Sequence, residues 1–131
     1  MGLLPDMSQG LNMTDKPIQG RVILSSGAQL EGQDFSGRNL RDADLRAANL
    51  RGVNFSNAVL KSANLQGADL TAANLKNANL KNANLAGANL MNANLKNANC
   101  KNANFSGSNL SRTERTGANF DGADLSNAIL F

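Results

Sequence analysis

Arg41, Lys61, Lys81 and Lys101 recur at intervals of twenty residues, a series that Asp121 ends, with Lys76 and Lys96 each five residues ahead of a member. No Asp or Glu lies between Thr71 and Thr113. Cations so arranged attract anions; they bind without making or breaking bonds. The rest of the reactive inventory is thin. The chain has no His, which excludes His-based triads, proton shuttles and His metal sites. Its single Cys, Cys100, cannot form an internal disulfide, and Cys-rich zinc sites need several thiols. Candidate acids are Asp42, Asp44, Asp69, Glu114, Asp121 and Asp124. Neither a glycine-rich phosphate loop nor a nucleophile elbow is present.

What positions these side chains is a five-residue repeat running from about Ala28 to the end. From 30 to 130, residue numbers divisible by five give 21 centres, of which 15 are Leu and 4 are Phe; only Cys100 and Arg115 depart. The residue two before the centre is Ala in 16 units, and the one before it is Asn in 13 and Asp in 4. Two after the centre, Gly or Asn fills 15 of 20 positions. A period of five fits neither a 3.6-residue helix nor simple two-residue alternation. Two apolar positions separated by one polar residue read as a short extended piece, its apolar side chains inward and its Asn outward. Gly or Asn then turns a corner, since both tolerate positive φ. Each unit is one side of a polygon.

Units such as ANLQG, ADLTA and ANLKN resemble those of the pentapeptide-repeat proteins, over about four-fifths of the chain. The resemblance implies an all-β fold, a right-handed quadrilateral β-helix with four units per coil and about five coils. Period five alone does not choose four sides over three. The domains expected are an N-terminal arm or cap over 1–20 and the β-helix over 21–131. Leu3, Met7 and Leu11 allow a short helix in that arm, and Val22 to Leu24 begin the first coil or lie across its end.

With four sides, centres twenty apart stack into a solenoid stabilised by adjacent interfaces. The Asn before each centre is expected to be structural, forming ladders along the stack. Cys100 replaces a core Leu and is expected to be buried as a small hydrophobe. Arg115 falls in the column of Phe35, Phe55, Leu75 and Leu95, where an unpaired buried charge is costly. The segment Ser111 to Arg115 is therefore expected to bulge outward. At the C-terminus, Ile129, Leu130 and Phe131 present apolar groups and strand edges. Two expectations stand: Phe131 folds over the core as a lid, or this end forms an end-to-end homodimer, as in some relatives of the resemblance; otherwise the chain is monomeric.

A square tower with a filled core has no concave, water-excluding site, so the chain reads as no enzyme, with no cofactor and no metal. The best-known role implied by the resemblance is topoisomerase inhibition by DNA mimicry, which needs an acidic rod. This chain carries net charge +3, and its central faces are basic. The expected function is that of a protein-protein interaction or scaffold module, with Arg41, Lys61, Lys81, Lys101, Lys76 and Lys96 as its surface and an acidic protein as partner. The alternative is an anion or nucleic-acid contact through the same stripe, by charge alone. No aromatic residue stands there for stacking single strands.

No apolar run reaches the ~20 residues of a membrane helix, and the start lacks a secretory signal. Asp6 stands where myristoylation wants Ser or Thr. The expected location is cytoplasm, and the N-x-S/T matches at Asn12, Asn54, Asn104 and Asn109 then carry no glycosylation meaning.

Overall fold

The computed structural model describes residues 26–131. The expected arm over 1–20, and the proposed start at Val22 to Leu24, lie outside the described residues. Over the rest, the five-residue pattern is unbroken: two turn residues follow each centre from Leu30 to Leu125, and one bridged residue precedes each centre.

The bridges decide the geometry. Each is parallel and joins residues twenty apart, as Asn39↔Val59, Val59↔Asn79 and Asn79↔Asn99. Twenty residues are four units, so the polygon is a square. The fold is the right-handed quadrilateral β-helix.

One unit shows why the sequence folds this way. The amide of Ala78 donates to Leu75 O at 3.0 Å, closing the corner between sides. Asn79 N–H donates to Ala58 O in the coil before, at 2.9 Å. Leu80 N–H donates to Asn99 O in the coil after, at 2.7 Å, and Asn82 N–H to Lys101 O at 3.0 Å. One amide is left, that of Lys81, and the Asn79 side chain takes it, with Oδ1 accepting at 3.0 Å. All five amides of the unit are thus satisfied, as a compact fold requires.

The Asn is therefore structural: its backbone forms the expected ladder between coils, but its side chain does not continue it. Its oxygen closes a local turn onto the amide two residues on, a bond repeated by Asn54, Asn74, Asn94 and Asn104 among others. A side-chain bond between coils occurs from Asn49 Nδ2 to Gln29 Oε1, at 3.1 Å. The local bond prevails because an Asx turn is available within the unit itself.

The second corner residue has positive φ throughout, for example Gly67 at 68° and Asn77 at 61°. Only the third residue of each turn does so, as in a type II turn. Ala47, Ser62, Ala72 and Arg112 adopt the same conformation without the tolerance of Gly or Asn.

Inside, the centres and the residues two before them form one dry column. Leu30 to Leu110 are fully enclosed at the centre positions, with Ala43 to Ala103 beside them. Burying each Leu contributes roughly 1.5–3 kcal/mol. Phe35 and Phe55 stack in adjacent coils, their ring centroids 5.4 Å apart. Cys100 sits in this column as expected, and burial pushes its thiol up to about 12.

The last coil runs differently from expectation. Ser111 to Arg115 do not bulge: the turn and bridge pattern continues, and Glu114 pairs with Asn94. Arg115 points in register, but its layer is the last of the described residues, and none of them stacks above it. Its side chain is half-buried, and Nη2 donates to Leu130 O at 3.2 Å. The expected cost of an enclosed charge does not arise. Nor does Phe131 form a lid, being 98% exposed. Phe120, Leu125 and Leu130 remain half-buried at this end.

Candidate interaction surface

The outward side chains of the tower are fixed by its corners. Each cation of the proposed surface is the first residue of a turn, directly after a buried centre. Asx bonds hold their backbones: Lys81 on Asn79, Lys101 on Asn99, Lys76 on Asn74, Lys96 on Asn94 and Arg41 on Asn39. The backbone amides of the next residues tie the same corners together, as Ser62 N–H to Lys81 O at 2.9 Å and Asn82 N–H to Lys101 O at 3.0 Å. The structure thus brings Arg41, Lys61, Lys81 and Lys101 into one column, about 4.8 Å apart at each step.

Lys76 and Lys96 stand at the preceding corner, on the other edge of the same side of the square. Between the two rows runs the outward column Asn39, Val59, Asn79, Asn99 and Asn119. Sequence reasoning listed the cations but missed that they frame one flat side. It also missed Val59, the one apolar member of that column. The signal was available, because Val59 breaks the Asn position of the repeat.

Among the described residues, Lys61, Lys76, Lys81 and Lys101 form no ion pair. Ion pairs are found instead on other corners, Arg46–Asp44 at 2.6 Å and Arg51–Asp69 at 3.2 Å. Both are partly exposed to solvent, and such pairs stabilise little. Glu114 borders the Lys96 row. The Thr116 amide and hydroxyl hold its carboxyl below the usual range, with Lys96 adding a smaller pull. Lys61 and Lys81 are half-buried, whereas Lys101, Lys76, Lys96 and Arg41 are exposed.

The candidate acids do not converge. Asp44, Asp69 and Asp124 each serve the turn two residues on. Asp42 and Asp44 line a shallow, open depression with Arg46, Ser62 and Asn64. No group of three or more metal-ligating side chains is gathered among the described residues. No helix among them is long and apolar enough to cross a membrane.

At the C-terminal end, Ile129 is 54% exposed and Phe131 protrudes, while Leu130 is half-buried. Ile129 is nonetheless tied into the wall, its amide donating to Ser108 O at 2.9 Å.

Tower, corners and period together define a pentapeptide-repeat solenoid. The chain matches the family of pentapeptide repeats, in eight copies, over 39–77 and 73–112. It belongs to that family, whose members are generally non-catalytic structural or interaction modules. It is similar to Rfr23, a pentapeptide-repeat protein of the cyanobacterium Cyanothece. The two share 30% identity over 83% of this chain and 90% of that one, with a TM-score of 0.63. A pentapeptide-repeat protein of the Arabidopsis thaliana thylakoid lumen shares 38% identity over 78% of this chain and 68% of its own, with a TM-score of 0.54. QnrB1, a plasmid-mediated fluoroquinolone resistance protein, shares the fold at 23% identity, covering 87% of this chain and 67% of its own, with a TM-score of 0.54. No curated protein matches the chain in sequence.

Proposed function

We propose that this protein is a non-catalytic interaction module that presents its framed basic side to an acidic protein. The observation that carries the reading is the stack of Arg41, Lys61, Lys81 and Lys101, uncompensated by any ion pair among the described residues. A solenoid fixes such side chains at the root before a partner arrives, so little ordering entropy opposes binding. The tower's filled core supports the same reading, because its described interior is occupied by packed Leu, Phe and Ala side chains. A reducing compartment, which we take to be the cytoplasm, suits a chain whose one thiol is buried.

Affinity capture with the wild-type protein and a K61E/K81E/K101E variant tests the reading. A protein retained by the first and lost by the second supports it. Undiminished retention by a variant with wild-type circular dichroism discards the stripe as the site.

The same uncompensated charge favours a second reading, contact with a polyanion such as duplex DNA. Binding to plain duplex with a steep loss in salt would favour it over the protein partner. DNA mimicry is opposed by the same charge: a surface that imitates phosphates must be acidic, and this side is basic.

The protruding Ile129 and Phe131 favour, for assembly, a homodimer joined through the last coil. An I129D/F131D variant eluting as a smaller species than the wild type in size-exclusion chromatography would support it. Identical elution of the two would discard it.

A further inference from the structure

The framed side of the tower has a pitch, a width and a charge pattern, and the three together select among the shapes an acidic partner can have. Coils repeat about every 4.8 Å, so the column from Arg41 to Lys101 spans about 14 Å in three steps. Three turns of α-helix cover about 16 Å. Three same-face steps along an extended strand cover about 20 Å. The helix therefore keeps its acidic side chains beside successive cations with an excess of about 2 Å over the whole column. Lysine and arginine stems absorb that much. The strand loses register within two coils.

Width points the same way. Lys76 and Lys81 lie five residues apart across the side, a separation of at most about 17 Å. The two rows stand on the two edges of one side, so a helix laid along that side, roughly 10–12 Å across with its side chains, faces cations on both flanks. Under its axis would lie the column Asn39, Val59, Asn79, Asn99 and Asn119, with Val59 as an apolar contact at one end.

We propose that the partner of this side is an acidic α-helix lying along the tower axis, with Asp or Glu once per turn facing the column from Arg41 to Lys101. This rests on the reading of the basic side as a protein-binding surface and adds the shape of what it binds. Lys76 and Lys96 meet the opposite flank of the same helix. The helix crosses the coils at right angles to their chain direction, so each turn meets one coil.

Synthetic peptides test the inference on the full chain at low salt. The first carries Glu at i, i+4, i+7 and i+11 in an alanine-rich host, which places the acids on one helical stripe. The second has the same composition with the Glu spread around the helix. The third keeps the stripe spacing, with prolines that prevent a helix. Binding is measured by fluorescence anisotropy, and peptide helicity by circular dichroism.

The striped helix is expected to bind about tenfold more tightly than either control, from several exposed pairs acting together. It should gain helicity on binding and lose its advantage against the K61E/K81E/K101E protein. Equal binding of all three peptides, abolished by the charge reversal, would overturn the helical partner and leave a general acidic-protein surface. Binding of no peptide, or binding indifferent to the reversal, would overturn both the helix and the reading beneath it.

Discussion

Arg115 Nη2 donates to the carbonyl oxygen of Leu130 at 3.2 Å, across one corner of the last coil. At every earlier centre, from Leu30 to Leu125, that carbonyl accepts the amide that opens the next unit, as Leu125 O does from Ala128 N–H at 3.0 Å. At Leu130 the guanidinium occupies the place that the amide takes elsewhere. Arg115 also sets a charge on an otherwise apolar end, the usual protection for an open solenoid edge. Replacing it with the Leu of the repeat should leave the fold intact, with a stability change within about 1 kcal/mol, because lost bonding and gained apolar burial oppose each other. Self-association of Arg115→Leu should rise with concentration, read by light scattering. A variant as dispersed as the wild type would remove the protective role.

The leftover amide of each unit gives a paired test. Asn79→Ala removes the acceptor of Lys81 N–H and should destabilise by about 1 kcal/mol. Val59 stands at the same position one coil earlier and offers no acceptor. Val59→Asn should therefore stabilise by about 0.5–1.5 kcal/mol, measured by urea unfolding. Opposite signs for the two variants are the expected result.

Ser108 replaces an Ala in the inner column. It is fully buried, and its hydroxyl has no hydrogen-bond partner among the described residues. A desolvated, unpaired hydroxyl costs about 1–3 kcal/mol. Ser108→Ala should raise the thermal midpoint, and a lower midpoint would show that the hydroxyl has a partner.

Gly87 and Gly117 both have positive φ, 67° and 75°, yet they are not equivalent. A Cβ on Gly87 would meet nothing within 4 Å, whereas one on Gly117 would run into the Asn97 side chain of the coil before. Gly87→Ala should cost about 1 kcal/mol from backbone strain alone. Gly117→Ala should cost more, and the excess should vanish when Asn97 is also changed to Gly, a coupling that a double-mutant cycle measures.

Acid should weaken the tower through its turn carboxylates. Burial pushes the Asp69 carboxyl up, but the Thr71 hydroxyl and amide and the Arg51 guanidinium together hold it below its ordinary value of 3.8. A folded-state value below the unfolded one adds stability above the unfolded value, and that stability disappears as pH falls through the folded one. Asp69→Asn keeps an acceptor for the turn and removes the titration. The wild type should lose stability relative to this variant as pH drops below about 4, with chemical unfolding at pH 7 and pH 3 as the measurement. A constant difference between the two pH values would contradict it.

The sequence by itself determined the repeat, its register and which residues face inward. Leu at every fifth position with Ala two before it is legible because each unit carries its own inward pair and its own corner. The buried column from Leu30 to Leu110 follows that reading residue for residue. The cation column was equally legible, since positions twenty apart stack once four sides are assumed. What only the tertiary structure decided depends on a residue's place along the stack. Arg115 looks like a buried charge in the repeat, but in the last layer it has a carbonyl to bond and open space above. Phe131 looks like a lid, but it extends beyond the wall. The Asn oxygen could serve a ladder or a local turn, and only the backbone geometry shows that one amide per unit is left for it to take. A periodic sequence specifies each unit in terms of its neighbours, and says little where a neighbour is missing.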